Sequence, residues 1–243
     1  AREVGAKLIR FGEAENAEMR LTEIRLSDTT TVIRAGMNGE ERLLKLSVPG
    51  RHHAMNALIT LAACDAVGAD VAEAAMALAQ WEPVSGRGTR ERLDLSGTDE
   101  LVIELIDDAF NANPASLAAG LDVLAAAEPE GRGRRIAVLG DMLELGPDAA
   151  SIHAGMADLP SMARIDVIHT AGPLMEHLHA ALPGAMRGHH AETAEDLARL
   201  LPRELRPGDV VLVKGSKSSR VSRVVDALRK LGQAQSDKSR GAP

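Results

Sequence analysis

From Leu101 onward, short apolar runs alternate with longer stretches whose apolar residues recur every three or four positions. ELVIELIDD gives way to PASLAAGLDVLAAA, RRIAVLG to a helical stretch around SIHAGMADL, and DVIHTAG to PLMEHLHAAL. A weaker run near AMRGHH leads into TAEDLARLL, and DVVLVKG leads into SRVSRVVDALRKLG. Strands that are apolar along their whole length need cover on both faces. Amphipathic helices between them supply it. The pattern predicts an α/β fold, a mostly parallel sheet with flanking helices joined by right-handed crossovers.

The upstream part reads differently. Between Lys7 and Val48 the segments KLIRF, MRLTEIRL, TTTVIRA and ERLLKLSV have apolar residues on alternate positions, broken by GEAEN and GMNGE. This predicts antiparallel strands. After Pro49-Gly50 the period becomes helical in HHAMNALITLAACDAVGA and in DVAEAAMALAQW, the second with Asp70 as its N-cap. The Pro-, Gly- and Ser-containing WEPVSGRGTR reads as a linker. The expected organisation is therefore an upstream domain over residues 1–86, an α/β domain over 87–232 and a disordered polar tail over 233–243. With no Tyr, one Trp and two Phe, both cores fall to Leu, Ile, Val, Ala and Met. A formal charge of -7 gives no electrostatic reason to expect nucleic acid or an anionic membrane. The single cysteine, Cys64, excludes an intrachain disulfide and suits a reducing cytoplasm.

Open α/β sheets bind ligands beyond the carboxyl ends of their strands. Three segments fall there: Asp107–Pro114 (DDAFNANP), Gly140–Gly146 (GDMLELG) and Lys214–Arg220 (KGSKSSR). Asn113 before Pro114 reads equally as a helix N-cap or as a ligand contact, whereas neither Asp107 nor Asp108 is needed for capping. Gly131-Arg132-Gly133 precedes its strand instead of following it, so no dinucleotide fingerprint is present. KGSKSSR lacks the earlier glycine of a phosphate-binding P-loop. Lys214, Gly215 and Ser216 read either as an anion site at a helix start or as a solvated loop with a capping serine. His52-His53, His177, His179 and His189-His190 form no recognisable metal-ligand spacing. No metal ligand is expected.

Taken in chain order, GRHHAMNALITLAA, the Gly-Arg at 86–87, IDDAFNANPAS, AVLGDMLELG and VLVKGSKSSRVSRVV resemble the Mur ligase family. The FNANP and GDMxELG combination points to its D-alanyl-D-alanine-adding branch. The resemblance, spanning about Lys7 to Gly232, implies a Rossmann-like carboxy-terminal domain preceded by the end of a central ATPase domain. It implies ATP-dependent amide formation between UDP-N-acetylmuramoyl-tripeptide and D-Ala-D-Ala, with Mg²⁺, in a cytoplasmic protein that is a monomer at full length, without a nucleic-acid or membrane partner.

By the same resemblance His52 and Asn56 line the adenine side of the nucleotide site, Arg87 reaches its phosphates and Asp108 contacts its ribose. Asn111, Asn113, Lys214 and Ser216 face peptide or D-Ala-D-Ala. His53 stands where the family usually has asparagine, and Ala109-Phe110 where Ser-Tyr is common. The family's P-loop, metal ligands and carbamylated lysine are not in this sequence. They are expected upstream of Ala1, with the UDP-binding domain, so no catalytic residue is assigned here and the chain alone is expected to be inactive. Two other readings stay open, a non-catalytic nucleotide- or peptide-binding module and a sister Mur or folylpolyglutamate ligase. A dehydrogenase lacks its glycine fingerprint.

Overall fold

The computed structural model describes residues 8–37 and 39–240, with 234–240 described as backbone. The chain divides into two compact units, Ala1–Glu82 and Pro83–Pro243.

The first unit contains β1 (Phe11–Gly12), β2 (Met19–Leu26), β3 (Thr31–Met37), β4 (Glu40–Leu46), α1 (Arg51–Ala66) and α2 (Val71–Ala79). Its sheet runs in the order β1-β2-β3-β4. β2, β3 and β4 are antiparallel, as their alternating pattern predicts. Met19, Leu21, Ile33, Ala35, Leu44 and Leu46 point to one face and bury themselves against Ala54, Leu58 and Leu61 of α1. The run KLIRF departs from expectation. Lys7 lies outside the described residues, and of the rest only Phe11 enters a two-residue strand, paired parallel to β2. Asp70 caps α2 as its sequence predicts, accepting from Ala72 N at 2.7 Å and Glu73 N at 3.2 Å.

The second unit carries β5 (Thr89–Asp94), β6 (Val102–Asp108), α3 (Pro114–Ala126), β7 (Arg135–Gly140), α4 (Ala149–Gly155) and β8 (Val167–Ala171). It continues through α5 (Met175–Ala181), β9 (Arg187–Ala191), α6 (Ala194–Leu200), β10 (Val210–Lys214) and α7 (Ser222–Arg240). The sheet order is β5-β6-β10-β7-β8-β9. Every pairing is parallel except that of β5 with β6. One face of the sheet packs Ile103, Leu105, Val138 and Val213 against Leu197 and Leu201 around α6 and Val224, Val225 and Leu228 of α7. The other packs Ile106, Ala137, Leu139 and Leu212 against Leu117, Leu121 and Leu124 of α3 and Met175 and Leu178 of α5. Cover on both faces is what the continuous apolar runs require.

Two elements differ from the sequence reading. β5, TRERLD, begins inside the stretch read as linker and carries a single apolar residue. It is an edge strand held by charge, with Arg90 to Glu104 at 2.5 Å and Arg229 to Glu91 at 2.5 Å. The polar segment expected to be disordered from 233 onward continues α7 as far as Arg240. Its Gln, Ala, Lys and Arg residues are good helix formers, and no glycine or proline interrupts them before Gly241.

Candidate functional site

In the second unit the chain passes from β6 to β7 across the position that β10 later fills, so strand order reverses between them. That reversal opens a crevice beyond the strand ends. In register, Lys214 at the end of β10 stands between Asp108 of β6 and Leu139 of β7. Only 2% of the Lys214 side chain is exposed, against 23% for Asp108. The Lys214 ammonium donates to Asp108 Oδ2 at 2.6 Å and to the Asn111 carbonyl at 3.1 Å. Its alkyl stem runs against α3 at Gly120, where an added Cβ would lie 3.0 Å from Lys214 Cδ. Burial pushes the Asp108 carboxyl above its ordinary value, and the neighbouring Lys214 charge opposes that rise.

The adjacent carboxylates part company because successive strand side chains point to opposite faces. Asp107 turns away from Asp108 and accepts from Arg229 at 2.8 Å and from Ser85 Oγ at 3.4 Å. The segment before β5 is stapled to the end of β6, Gly88 N donating to Asp107 O at 2.8 Å and Phe110 N to Gly86 O at 3.0 Å. Gly86 has φ +79 and packs beneath Phe110, where a Cβ would come within 3.2 Å of the Phe110 Cβ. The Phe110 ring is thereby held out to solvent, 41% exposed. Arg87 Cζ lies 4.2 Å from its centroid and Lys217 Nζ 5.9 Å. Both distances are within cation–π range.

Ser216 clasps the three loops together. Its hydroxyl accepts from Leu143 N at 2.9 Å and donates to Ala112 O at 3.3 Å, and its own N–H donates to Asp141 O at 3.0 Å. Asp141 is buried and accepts from Met175 N at 2.8 Å. Buried His153 accepts from Met142 N through Nε2 at 3.0 Å and donates from Nδ1 to Ala149 O at 2.6 Å. Beneath the clasp β7 and β10 touch glycine to glycine, a Cβ on Gly215 falling 2.9 Å from Gly140 Cα.

Of the residues marked in the sequence, Arg87, Asp108, Asn111, Asn113, Lys214 and Ser216 belong to this unit and gather at the strand ends. Asn113 is the N-cap of α3. Its Oδ1 accepts from Ser116 N at 2.8 Å while Ser116 Oγ accepts from Asn113 N at 3.0 Å. Asn111 Oδ1 accepts from Ala112 N at 2.9 Å. Lys214 and Ser216, expected to face the cleft, are instead buried and bonded within the protein. His52 and Asn56 lie in the first turns of α1, in the other unit. There the His52 and His53 rings are 3.9 Å apart, and burial, then the His52 charge, brings the His53 pKa down to about 4. The sequence reading missed Asp141, His153 and Lys217. The first and last lie in loops it had marked. His153 carried no signal, because its partner Met142 bonds through its backbone.

Residues 91–217 match the family described as Mur ligase, glutamate ligase domain. The chain belongs to the Mur ligase family. It is 39% identical over 204 residues to the UDP-N-acetylmuramoyl-tripeptide–D-alanyl-D-alanine ligase of Mycobacterium tuberculosis, covering 76% of this chain and 39% of that one. To the Escherichia coli ligase of the same name it is 32% identical, covering 93% of this chain and 48% of that one. This Mur ligase chain thus spans less than half the length of these curated relatives. Among solved structures it resembles MurF from Acinetobacter baumannii, with a TM-score of 0.74 and 22% identity over 91% of this chain and 46% of that one. MurF from Thermotoga maritima in complex with ADP gives 0.73 and 21% over 93% and 49%. At these identities the likeness concerns the fold.

Proposed function

We propose that this chain is the carboxy-terminal part of an ATP-dependent ligase that joins D-Ala-D-Ala to UDP-N-acetylmuramoyl-tripeptide in the cytoplasm. Support comes from membership of the Mur ligase family together with relatives that carry this name. The single observation that carries the reading to this chain's residues is the pair of unspent polar groups at the switch point. Lys214 holds Asp108 Oδ2, while Asp108 Oδ1 has no hydrogen-bond partner among the described residues. The exposed Arg87 guanidinium forms no salt bridge among them, and its charge reaches the Asp108 carboxyl.

These two groups fit a nucleotide. Oδ1 can accept from a ribose hydroxyl, and a planar, permanently charged guanidinium can donate two parallel hydrogen bonds to phosphate oxygens. ATP, when bound, would convert the tripeptide's terminal carboxylate into an acyl phosphate, which the amine of D-Ala-D-Ala attacks with loss of phosphate. The chain's contribution is orientation. Lys214 fixes the Asp108 carboxylate, the Gly86–Phe110 staple fixes where Arg87 leaves the backbone, and the Ser216 clasp fixes the loops relative to both. His52, half-buried, and Asn56, exposed, both in the first turns of α1, are proposed to approach the adenine. The amide of Asn111 is proposed to meet peptide or D-Ala-D-Ala. Asn113, Lys214 and Ser216 position this site from beneath. Among the described residues no group of three or more His, Cys, Asp or Glu side chains is arranged to hold a metal ion. Mg²⁺ is therefore assigned no ligands here, and no step is derived through it.

The test is Arg87→Ala in the protein that carries this chain with its upstream sequence. Loss of charge-assisted hydrogen bonds to phosphate should lower kcat/KM for ATP by on the order of a hundredfold, with KM for D-Ala-D-Ala little changed. Unchanged ATP kinetics would overturn the assignment of Arg87 to the nucleotide.

A further inference from the structure

The loop KGSKSSR holds two lysines, and the structure gives them different work. Lys214 is buried and committed to Asp108 and the Asn111 carbonyl. Lys217 lies three residues on, in the short helical turn Lys217–Ser219, and is exposed. Its ammonium rests 5.9 Å from the Phe110 centroid, and no carboxylate pairs with it among the described residues. The loop is not free to wander. Ser219 N donates to Ser216 O at 2.9 Å and Ser219 Oγ to Ser216 O at 2.6 Å. Arg220 then turns the chain with φ 58. A strongly hydrated point charge is thus carried on a fixed backbone at the mouth of the crevice, beside an exposed aromatic ring.

We infer that Lys217 binds the carboxylate of the incoming amine substrate and so selects a dipeptide with a free carboxyl terminus. The inference rests on the ligase reading above and adds a residue to it. Arg87, with its forked donors, suits the oxygens of a phosphate chain. A lysine on a flexible stem suits one carboxylate, approached from varied directions. The exposed Phe110 ring, within cation–π reach of both cations, offers an apolar surface for the small methyl side chains of an alanine dipeptide. An amine substrate must present its nitrogen to the reacting carbonyl, and anchoring the opposite end of so short a molecule sets that direction.

The experiment uses the protein with its upstream sequence and compares D-Ala-D-Ala with its C-terminal amide. For the unaltered protein the amide should show a KM about tenfold higher, the size expected for one partly desolvated charge-assisted contact. Lys217→Met should raise KM for D-Ala-D-Ala about tenfold, leave KM for the amide unchanged, and leave KM for ATP and kcat within about twofold. Lys217→Arg should recover most of the loss. If Lys217→Met raises KM for both dipeptides equally, or raises KM for ATP instead, the inference is wrong while the ligase reading stands. If the unaltered protein joins no dipeptide at all, the ligase reading itself has failed.

Discussion

Asp108→Ala should destabilise the second unit by about 3 kcal/mol, at the lower end of what breaking a buried ion pair costs, because Asp108 itself is partly exposed. Lys214 is 2% exposed, and Asp108 Oδ2 at 2.6 Å is its one ionic partner among the described residues. With that carboxylate gone, the ammonium keeps the Asn111 carbonyl and loses the charge that made its burial tolerable. Removing the ammonium as well should behave differently. In the double variant Asp108→Ala/Lys214→Met a thioether fills the channel beside Gly120 and no charge is left buried, so stability should return to within about 1 kcal/mol of the starting protein. Any function that needs the Asp108 oxygens should not return with it. Unfolding by urea, followed by far-UV ellipticity, measures this. Trp81, the only tryptophan, lies in the first unit, so its fluorescence reports that unit separately. A double variant no more stable than Asp108→Ala would mean that the unpaired buried ammonium is not the source of the loss.

Gly133→Ala should cost a comparable amount, about 3 kcal/mol or more, for a different reason. A Cβ there would fall 2.0 Å from Gly208 O and 2.2 Å from Gly208 C, and both are backbone atoms that cannot rotate away. Gly208 cannot retreat, since it holds φ +82 and its own added Cβ would meet Glu130 O at 2.1 Å. The two segments are further tied by Glu130 N to Gly208 O at 3.2 Å and Gly133 N to Glu130 O at 2.8 Å. These loops feed β7 and β10, the two strands whose far ends carry Gly140 and Lys214. The built-in control is Gly155→Ala at the end of α4, where nothing lies within 4 Å of the added methyl and φ is unremarkable. That change should be neutral or stabilise by up to about 1 kcal/mol. Thermal or urea midpoints of the two variants decide the matter. Similar midpoints would show that the Gly133 contact relaxes at little cost.

The same glycine illustrates how far the sequence could be read. Gly131-Arg132-Gly133 was excluded as a cofactor fingerprint by its order relative to β7, but its purpose is a backbone contact with a loop about 75 residues away, which periodicity does not encode. β6, β7, β8 and β10 were legible because each is apolar along most of its length, whereas β9, RGHHA, showed only as a weak run. β5 was not, because an edge strand stabilised by Arg90, Glu91 and Arg229 carries no hydrophobic alternation. The helical end of α7 was missed because a polar stretch offers no apolar stripe, only helix-forming residues. At the strand ends, residue types and loop positions located the site. What they could not tell is depth. Lys214 and Lys217 are equivalent in sequence, and only register beside Asp108 and Gly120 sends the first inward and leaves the second at the mouth. Asn113 shows the converse, since the Asn-Pro-x-Ser spacing predicts the cap that the structure displays.

The measurement that bears most directly on the whole account is phosphate release from ATP. It would be run on this chain and on the protein with its upstream sequence, each with UDP-N-acetylmuramoyl-tripeptide and D-Ala-D-Ala. This sequence holds no P-loop, so release is expected only from the longer protein and only when both peptide substrates are present. Release by this chain alone, or a well-folded longer protein that releases none, would contradict it.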